Sequence, residues 1–173
     1  MSNMLIVDVE ADGPIPGDYS MVSFGAIIVT RKLEPTFFSG ILKPLPQAKH
    51  DPETVKVHGI TREQQSTGKE PLMAMNEFAE WLKTNMDRHP ILWSDNNQFD
   101  GMFMAWYFHH FLGYNPLGWS SRRIGDLYCG HTGNLFDKWK HLRITQHSHN
   151  PIDDAKGNAE ALLTIIEKLK MLG

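Results

Sequence analysis

Leu5-Ile6-Val7-Asp8-Val9-Glu10, close to the start of the 173-residue sequence, joins an apolar run to two acidic residues. Consecutive apolar residues predict a buried β-strand, which we expect over Asn3–Val9. Side chains at alternate positions of a strand share a face, so the carboxylates of Asp8 and Glu10 should project together. Two like charges raise each other's pKa unless a cation lies between them, and Mg²⁺ prefers oxygen ligands. The pair therefore indicates either a solvated strand end or part of a metal site.

Outward from this strand, the hydrophobic pattern predicts alternating strands and helices. Further strands are predicted over Met21–Thr30, Phe37–Leu42 and Pro90–Trp93, and helices over Leu72–Met86, Phe99–Phe111 and Ile152–Leu172. Arg123–Leu127 fits either a fifth strand or the start of a helix. The order of these elements predicts an α/β fold with a mixed central β-sheet flanked by helices.

Composition favours one globular domain over residues 1–173, because 41% of the residues are hydrophobic and 21% are charged. The formal net charge of −3 argues against a basic protein that coats nucleic acid. It leaves open a nucleic-acid enzyme whose acidic residues gather in one metal site.

The single cysteine, Cys129, excludes an intramolecular disulfide and a cysteine-based zinc knuckle. No apolar run is long enough to span a membrane, and no basic segment precedes the first apolar run. A cytoplasmic protein with no membrane partner is therefore expected.

Further carboxylates lie at the predicted ends of other elements. Asp100 falls at the start of a helix, where an N-cap is the simplest role. Asp153 and Asp154 open the last helix, where acidic residues suit the helix dipole. His149 precedes Asp154 by five positions, so the imidazole and the carboxylate could meet at one helix start. Open α/β sheets gather ligands at such element ends.

Four segments, in this order, resemble the motifs of the DEDDh 3′–5′ exonucleases, the DnaQ-like and ribonuclease T-like family. The first is Leu5–Glu10 with Gly13, and the second is Asn96-Asn97-Gln98-Phe99-Asp100. The third is His149-Asn150-Pro151-Ile152-Asp153-Asp154, a His–x4–Asp pattern, and Val57-His58-Gly59-Ile60-Thr61 resembles the family's HGIT segment. An isolated Asp–x–Glu is a weak signal, whereas this ordered set covers most of the chain and is specific.

The resemblance implies a ribonuclease H-like fold and hydrolysis of phosphodiester bonds at the 3′ end of single-stranded RNA or DNA, releasing nucleoside 5′-monophosphates. It implies two Mg²⁺ ions, with Mn²⁺ as a substitute. Asp8 would contact both ions, Glu10 and Asp154 the first, and Asp100 the second. His149 would be the general base, a role that suits the ordinary pKa of histidine, about 6.5. A homodimer is a further candidate, since dimers are common among stand-alone relatives.

The sequence departs from the family pattern at several positions. Asp12 replaces the usual Thr or Ser and is expected to shape a turn, although binding of a hydrated ion stays open. Asp95 replaces a frequent His and is treated as variation outside the ligand set. His147 is a second candidate base and Asp153 a competing ligand, but the family spacing favours His149 and Asp154. His147 is therefore expected to be a surface residue, with a phosphate contact as the alternative.

Candidate substrate contacts are less specific. Ile15 follows the first motif and is the candidate wedge against the terminal base. Trp119, Arg122 and Arg123 share a loop that fits either a platform for a single strand or ordinary packing with two solvated arginines. His58 is a further candidate contact, although a structural hydrogen bond within its loop is the simpler expectation.

Two other functions deserve comparison. A haloacid dehalogenase-type phosphatase also begins with a strand that ends in paired acids, but it uses Asp where this chain has Glu10. A family member that binds nucleic acid without cutting it is the non-enzymatic alternative, although all four acids and the histidine are present. An EF-hand is excluded, because Tyr19 falls where the loop needs its bidentate Glu.

Overall fold

The computed structural model describes residues 4–30 and 36–169, which form a five-stranded mixed β-sheet with helices on both faces. The strands are β1 (Met4–Ala11), β2 (Met21–Val29), β3 (Phe37–Ile41), β4 (Ile91–Ser94) and β5 (Ser121–Arg123). They lie in the order β3-β2-β1-β4-β5, with β1, β2 and β3 paired antiparallel and β4 parallel to both β1 and β5. Since β1 and β4 run in the same direction, their carboxyl ends meet at one edge of the sheet, the edge where such folds gather ligands.

Helices and one short 3₁₀ turn account for the rest of the regular structure in the described residues. They are α1 (Pro52–His58), α2 (Arg62–Ser66), α3 (Pro71–Asn85), α4 (Asn97–Leu112), α5 (Ile124–Thr132), the 3₁₀ turn Lys140–Leu142, and α6 (Pro151–Lys168). Within these ranges, no helix is both long and apolar enough to cross a membrane.

The sheet separates two hydrophobic cores. Leu5 and Val7 of β1 point into the core that α3 and α4 cover, whereas Ile6 points into the core formed with α6. Because the side chains of a strand alternate between faces, Asp8 and Glu10 continue the side of Ile6. The two acids of β1 therefore face the helix that carries the third motif.

Gly25 of β2 allows the first turn of α6 to lie directly on the sheet. It is the residue paired with Asp8 across the β1–β2 ladder. A Cβ atom at this position would lie 2.4 Å from the carbonyl oxygen of Pro151, far inside van der Waals contact. The absent side chain thus sets the distance between the start of α6 and the acidic end of β1.

The strands and helices expected from the hydrophobic pattern are present, with small shifts in their bounds. For Arg123–Leu127, the predicted strand and the predicted helix start are both partly correct, because β5 ends at Arg123 and α5 begins at Ile124. The predicted strand start at Asn3 and the predicted helix end at Leu172 lie outside the described residues. The mixed sheet with flanking helices confirms the ribonuclease H-like fold.

Candidate active site

Two carboxylates of β1 form the centre of the candidate site. Burial raises the pKa of Asp8 well above its ordinary value, and the neighbouring charges of Asp100, Asp154 and Glu10 raise it further. Burial also raises the pKa of Glu10 to about 7, with repulsion from Asp154 and Asp100 adding to the effect. Four carboxylates therefore share one small region of the structure.

Asp100 reaches this region from the first turn of α4. The helix begins after Asn96, so the expected N-cap role of Asp100 is wrong. The Asp100 side chain instead turns inward, where its Oδ1 accepts a hydrogen bond of 3.0 Å from the backbone N–H of Val9. Burial raises its pKa to about 7, against the lowering effect of that hydrogen bond. Val9 separates the two acids of β1, so this bond holds Asp100 beside both.

Asp154 is fully buried in the first turn of α6, and the preceding loop binds its carboxylate. The backbone N–H of Ser148 donates to Oδ1 at 3.2 Å and that of His149 donates to Oδ2 at 2.9 Å. His149 adopts a left-handed backbone conformation, with φ of 58°, at this turn. Asn150 then caps α6 by accepting from the backbone N–H of Ile152 at 3.0 Å. The acid and the histidine of the third motif are thus fixed to each other through the backbone.

Arg143 is a residue of the site that the motifs do not reveal. Its side chain is only 6% exposed and donates to Oδ1 of Asp154 at 3.4 Å and to the main-chain oxygen of Asp154 at 3.0 Å. It also donates twice to Oδ1 of Asn158, at 2.6 and 3.1 Å, and lies over the ring of Trp139. Its positive charge lowers the pKa of Asp8, against the larger effects that raise it. Only the fold brings Arg143 here, since no sequence spacing links it to the motifs.

The two histidines of the third-motif loop lie next to each other. Nδ1 of His149 is 3.8 Å from Oε1 of Glu10, and its side chain is 41% exposed, so the ring faces both the carboxylates and solvent. Nδ1 of His147 lies 2.8 Å from Oδ1 of Asp154. His147 is a surface residue, as expected, but its half-exposed ring also contacts a buried carboxylate, which the sequence did not indicate. The carboxylate of Asp153, the competing ligand, accepts a hydrogen bond from the Ser148 hydroxyl at 3.3 Å.

The carboxylates have the donor chemistry that a divalent cation requires. One oxygen from each of Asp8, Glu10 and Asp154 can be chosen so that all lie within 4.8 Å of one another. Hard cations such as Mg²⁺ and Mn²⁺ prefer carboxylate oxygens, and a bound cation would relieve the repulsion that raises the carboxylate pKa values. The residues present therefore fit a divalent metal ion.

Asp12 belongs to a separate buried ion cluster. Its carboxylate is 1% exposed; Oδ2 accepts from the guanidinium of Arg62 at 2.7 Å, and Oδ1 lies 3.1 Å from Nδ1 of His50. Arg62 also donates to Gln65 at 2.8 Å. Asp12 thus ties the loop after β1 to the segment of the HGIT motif, a role beyond the local turn that its position predicts.

His58 and Ile15 lie in the two segments that Asp12 joins. Nδ1 of His58 accepts from the backbone N–H of Ile60 at 3.1 Å, the structural hydrogen bond expected of it. Its Nε2 is buried without a hydrogen-bond partner among the described residues, and burial is the main cause that lowers its pKa. Ile15 is 46% exposed in the loop after β1, so it is available to contact another molecule.

The loop before β5 and the strand itself carry the remaining candidate contacts. Trp119 is 95% exposed beside a cavity of about 240 Å³ that extends to Asn97 at the start of α4. Arg122 lies over the ring of Trp93, and Arg123 pairs with Asp126 at 3.2 Å. The two arginines are therefore only partly solvated.

A five-stranded mixed sheet of this order, with carboxylates of β1, α4 and α6 at one edge, defines the chain as a nuclease of the ribonuclease H-like class. The exonuclease family model, of the ribonuclease T type, matches residues 5–162. The chain therefore belongs to this family, and it is a 3′–5′ exonuclease of the DEDDh type.

Relatives agree with this assignment. The chain is 34% identical to the 3′-5′ DNA exonuclease Cap18 of Escherichia coli over 174 residues, which cover 94% of this chain and 90% of Cap18. Among solved structures, it resembles the zinc-bound E. coli exonuclease I complex with single-stranded DNA, with a TM-score of 0.76 at 18% identity. That match covers 98% of this chain but 41% of exonuclease I, so the chain spans about two fifths of that protein. The nuclease domain of 3′hExo, a DEDDh family member bound to rAMP, matches with a TM-score of 0.75 at 14% identity, covering 95% of this chain and 92% of that one.

Proposed function

We propose that this exonuclease removes nucleotides from the 3′ end of single-stranded nucleic acid, with DNA as its preferred substrate, and that it uses two divalent ions. The observation that carries the proposal is the convergence of four buried or partly buried carboxylates and one histidine at a single edge of the sheet. The choice of DNA is supported by the name of Cap18 and by the single strand bound to exonuclease I.

The carboxylates are proposed to hold the metal ions. Asp8 would contact both ions, with Glu10 and Asp154 holding the first and Asp100 the second. Mg²⁺ is the proposed ion, with Mn²⁺ able to replace it, because every proposed ligand is a carboxylate oxygen. Two bound ions supply electrostatic stabilisation to the attacking and leaving oxygens of the displacement at phosphorus.

His149 is proposed to accept the proton of the attacking water. Its ring lies at the exposed side of the carboxylate group, where a water molecule and the scissile phosphate can both approach. The hydrogen bond from its backbone N–H to Asp154 fixes the start of the side chain relative to the proposed ligands. The partial exposure of the ring leaves a route for the proton to reach solvent.

The substrate strand is proposed to pass from Trp119 to the acidic edge. Base stacking on an exposed aromatic ring contributes about 1–3 kcal/mol per base, and Arg122 and Arg123 would contact phosphates nearby. Ile15 would pack against the terminal base, and His58 would contribute to the terminal nucleotide's pocket through the loop that its hydrogen bond to Ile60 holds.

The decisive experiment uses 5′-labelled single-stranded DNA and RNA of the same sequence, with Mg²⁺ or with EDTA. The wild type should give a ladder that shortens from the 3′ end, fastest on DNA and only with metal. Asp100→Asn and His149→Ala should lose the activity by about a thousandfold or more, whereas the exposed Asp87→Asn provides a matched control that keeps it.

Other results would overturn the proposal. Internal cleavage, or equal activity with EDTA, is incompatible with a metal-dependent exonuclease. A shift of the labelled strand without shortening would indicate a protein that only binds nucleic acid. Release of phosphate from a small ester, with both polymers intact, would indicate a phosphatase.

A further inference from the structure

The imidazole of His147 is a potential metal ligand that the proposed exonuclease reaction does not use. It lies two residues before His149, and the two rings pack edge to face with their centroids 4.2 Å apart. Its Nδ1 lies 2.8 Å from Oδ1 of Asp154, while its side chain is 46% exposed. A group that contacts a proposed ligand and also faces solvent can bind an ion arriving from solution.

His147, His149 and Asp154 together supply two imidazoles and one carboxylate. One ligand atom from each can be chosen so that all three lie within 4.8 Å of one another. Zinc binds nitrogen and carboxylate ligands at about 2.0–2.2 Å, which places ligands of a tetrahedral ion about 3.4 Å apart. Asp154 is held by backbone hydrogen bonds, and the two histidine side chains are partly exposed, so their rings have room to turn towards an ion.

The donor set selects a different class of metal from the carboxylates of β1. Imidazole suits Zn²⁺, Cu²⁺ and Ni²⁺, whereas Mg²⁺ prefers oxygen ligands and keeps several waters. Three protein ligands leave a further position of a tetrahedral ion open, as in a site exposed to solvent. The same small region therefore offers carboxylate oxygens that suit Mg²⁺ and imidazole nitrogens that suit a transition metal.

We infer that His147, His149 and Asp154 form a transition-metal site that overlaps the catalytic centre, and that Zn²⁺ bound there inhibits the enzyme. The inhibitory effect rests on the proposed function, whereas zinc binding itself does not. A zinc ion would immobilise the ring of His149, the proposed base, and would share Asp154 with the proposed Mg²⁺ site. The enzyme would then be active only where free zinc is scarce.

Histidine ring NMR on the ¹⁵N-labelled full chain tests the site without reference to activity. Zinc is added at one equivalent in excess Mg²⁺, so that the carboxylate sites are occupied by the harder ion. Of the nine histidines, the ring signals of His147 and His149 should move and the others should stay. Zinc that binds without moving these two ring signals would overturn the inference.

His147→Gln is the specific variant, because glutamine can still donate a hydrogen bond to Asp154. Its zinc affinity, measured by competition with a chromophoric chelator, should fall about tenfold or more. The zinc concentration for half-inhibition, relative to each variant's own Mg²⁺ activity, should rise by a similar factor. His141→Gln changes another exposed histidine, whose Nδ1 lies 2.8 Å from the carbonyl oxygen of Lys138, and should behave as the wild type.

Equal zinc affinity in His147→Gln and the wild type would also overturn the inference. Failure of the exonuclease assay on DNA and RNA would instead remove the proposed function, because the NMR and chelator measurements report binding alone. Failure of the zinc site can therefore be distinguished from failure of the proposed function.

Discussion

At the scale of single residues, the fold keeps several carboxylates close together although their negative charges repel one another. Asp100 and Glu10 both have pKa values raised to about 7, with burial as the main cause in each. The buried Arg143 offsets only part of this charge. A carboxylate with a raised pKa binds its proton more tightly in the folded protein than in the unfolded chain. In the absence of metal, the contribution of these acids to folding stability is then most favourable below their ordinary pKa and is lost as the pH rises towards and through about 7.

Asp100→Asn should therefore stabilise the metal-free protein at pH 8. The amide oxygen can keep the hydrogen bond from the backbone of Val9, while the buried negative charge is removed. We expect the free energy of unfolding in EDTA to rise by about 1–3 kcal/mol at pH 8, and to change little at pH 4, where Asp100 is protonated. Urea unfolding at the two pH values measures this. A variant less stable than the wild type at pH 8 would contradict the cause given for the raised pKa.

At the scale of elements, the position of α6 relative to β1 and β2 decides whether the acids meet. Gly25 pairs with Asp8 across the ladder and contacts the first turn of α6 at Pro151. Any side chain at Gly25 must push the helix away from the sheet, and Asp154 moves with it. The absence of a side chain at Gly25 thus lets α6 pack close to the sheet, and this packing sets the spacing of the proposed ligands.

Gly25→Ala should lower both stability and activity. We expect a loss of about 1–3 kcal/mol in unfolding free energy and a fall in kcat of about tenfold or more, because the acids of β1 and α6 separate. Gly40→Ala, in the neighbouring strand β3, is the matched control, since a Cβ atom there meets nothing within 4 Å. Thermal unfolding and single-strand degradation measure the two effects. Similar behaviour of the two variants would show that the contact at Pro151 does not set the spacing.

The loop before β5 provides a second prediction at this scale. Trp119→Ala should raise KM for a long single strand by roughly 5- to 150-fold, as expected for the loss of one stacked base, with little change in kcat. KM for a dinucleotide should stay the same, because so short a substrate does not reach the ring. Phe37→Ala, on strand β3 at the opposite edge of the sheet, is the control. An equal effect of Trp119→Ala on the dinucleotide would exclude a remote stacking role.

At the scale of the whole molecule, metal binding and proton binding compete for the same carboxylates. Protonated acids must ionise before they bind a cation, so Mg²⁺ binding should release protons and tighten as the pH rises. We expect release of about one proton or more per molecule near pH 6.5, and fewer at pH 9, where Glu10 and Asp100 are already ionised. Calorimetry in buffers of different ionisation enthalpy measures this number. Proton release that is absent at pH 6.5 would show that the acids are already ionised without metal.

The sequence predicted those features that depend on local order. The alternation of side chains along a strand placed Asp8 and Glu10 on one face. The order of the motifs identified Asp100, His149 and Asp154, which the structure brings to the same edge of the sheet. The role of each in catalysis stays a prediction.

Features that depend on distant parts of the chain were not predicted. Arg143 belongs to no motif, and it reaches Asp154 only because the segment before α6 packs against that helix. Asp12 was expected to act within its own turn, yet its partner Arg62 lies fifty positions further on. Such contacts follow from the packing of the whole chain, which local pattern does not determine.

The long separation in sequence between β1 and α6 has a consequence for partly made or cut chains. Asp8 lies in the first strand and Asp154 in the last helix, and α6 also packs on β1, β2 and β3. A fragment that lacks α6 loses an acid of the site together with the helix that forms much of the second hydrophobic core. If Asp154 holds metal as proposed, we expect a fragment without α6 to leave nucleic acid intact, so that degradation begins only once the last helix has been made and packed.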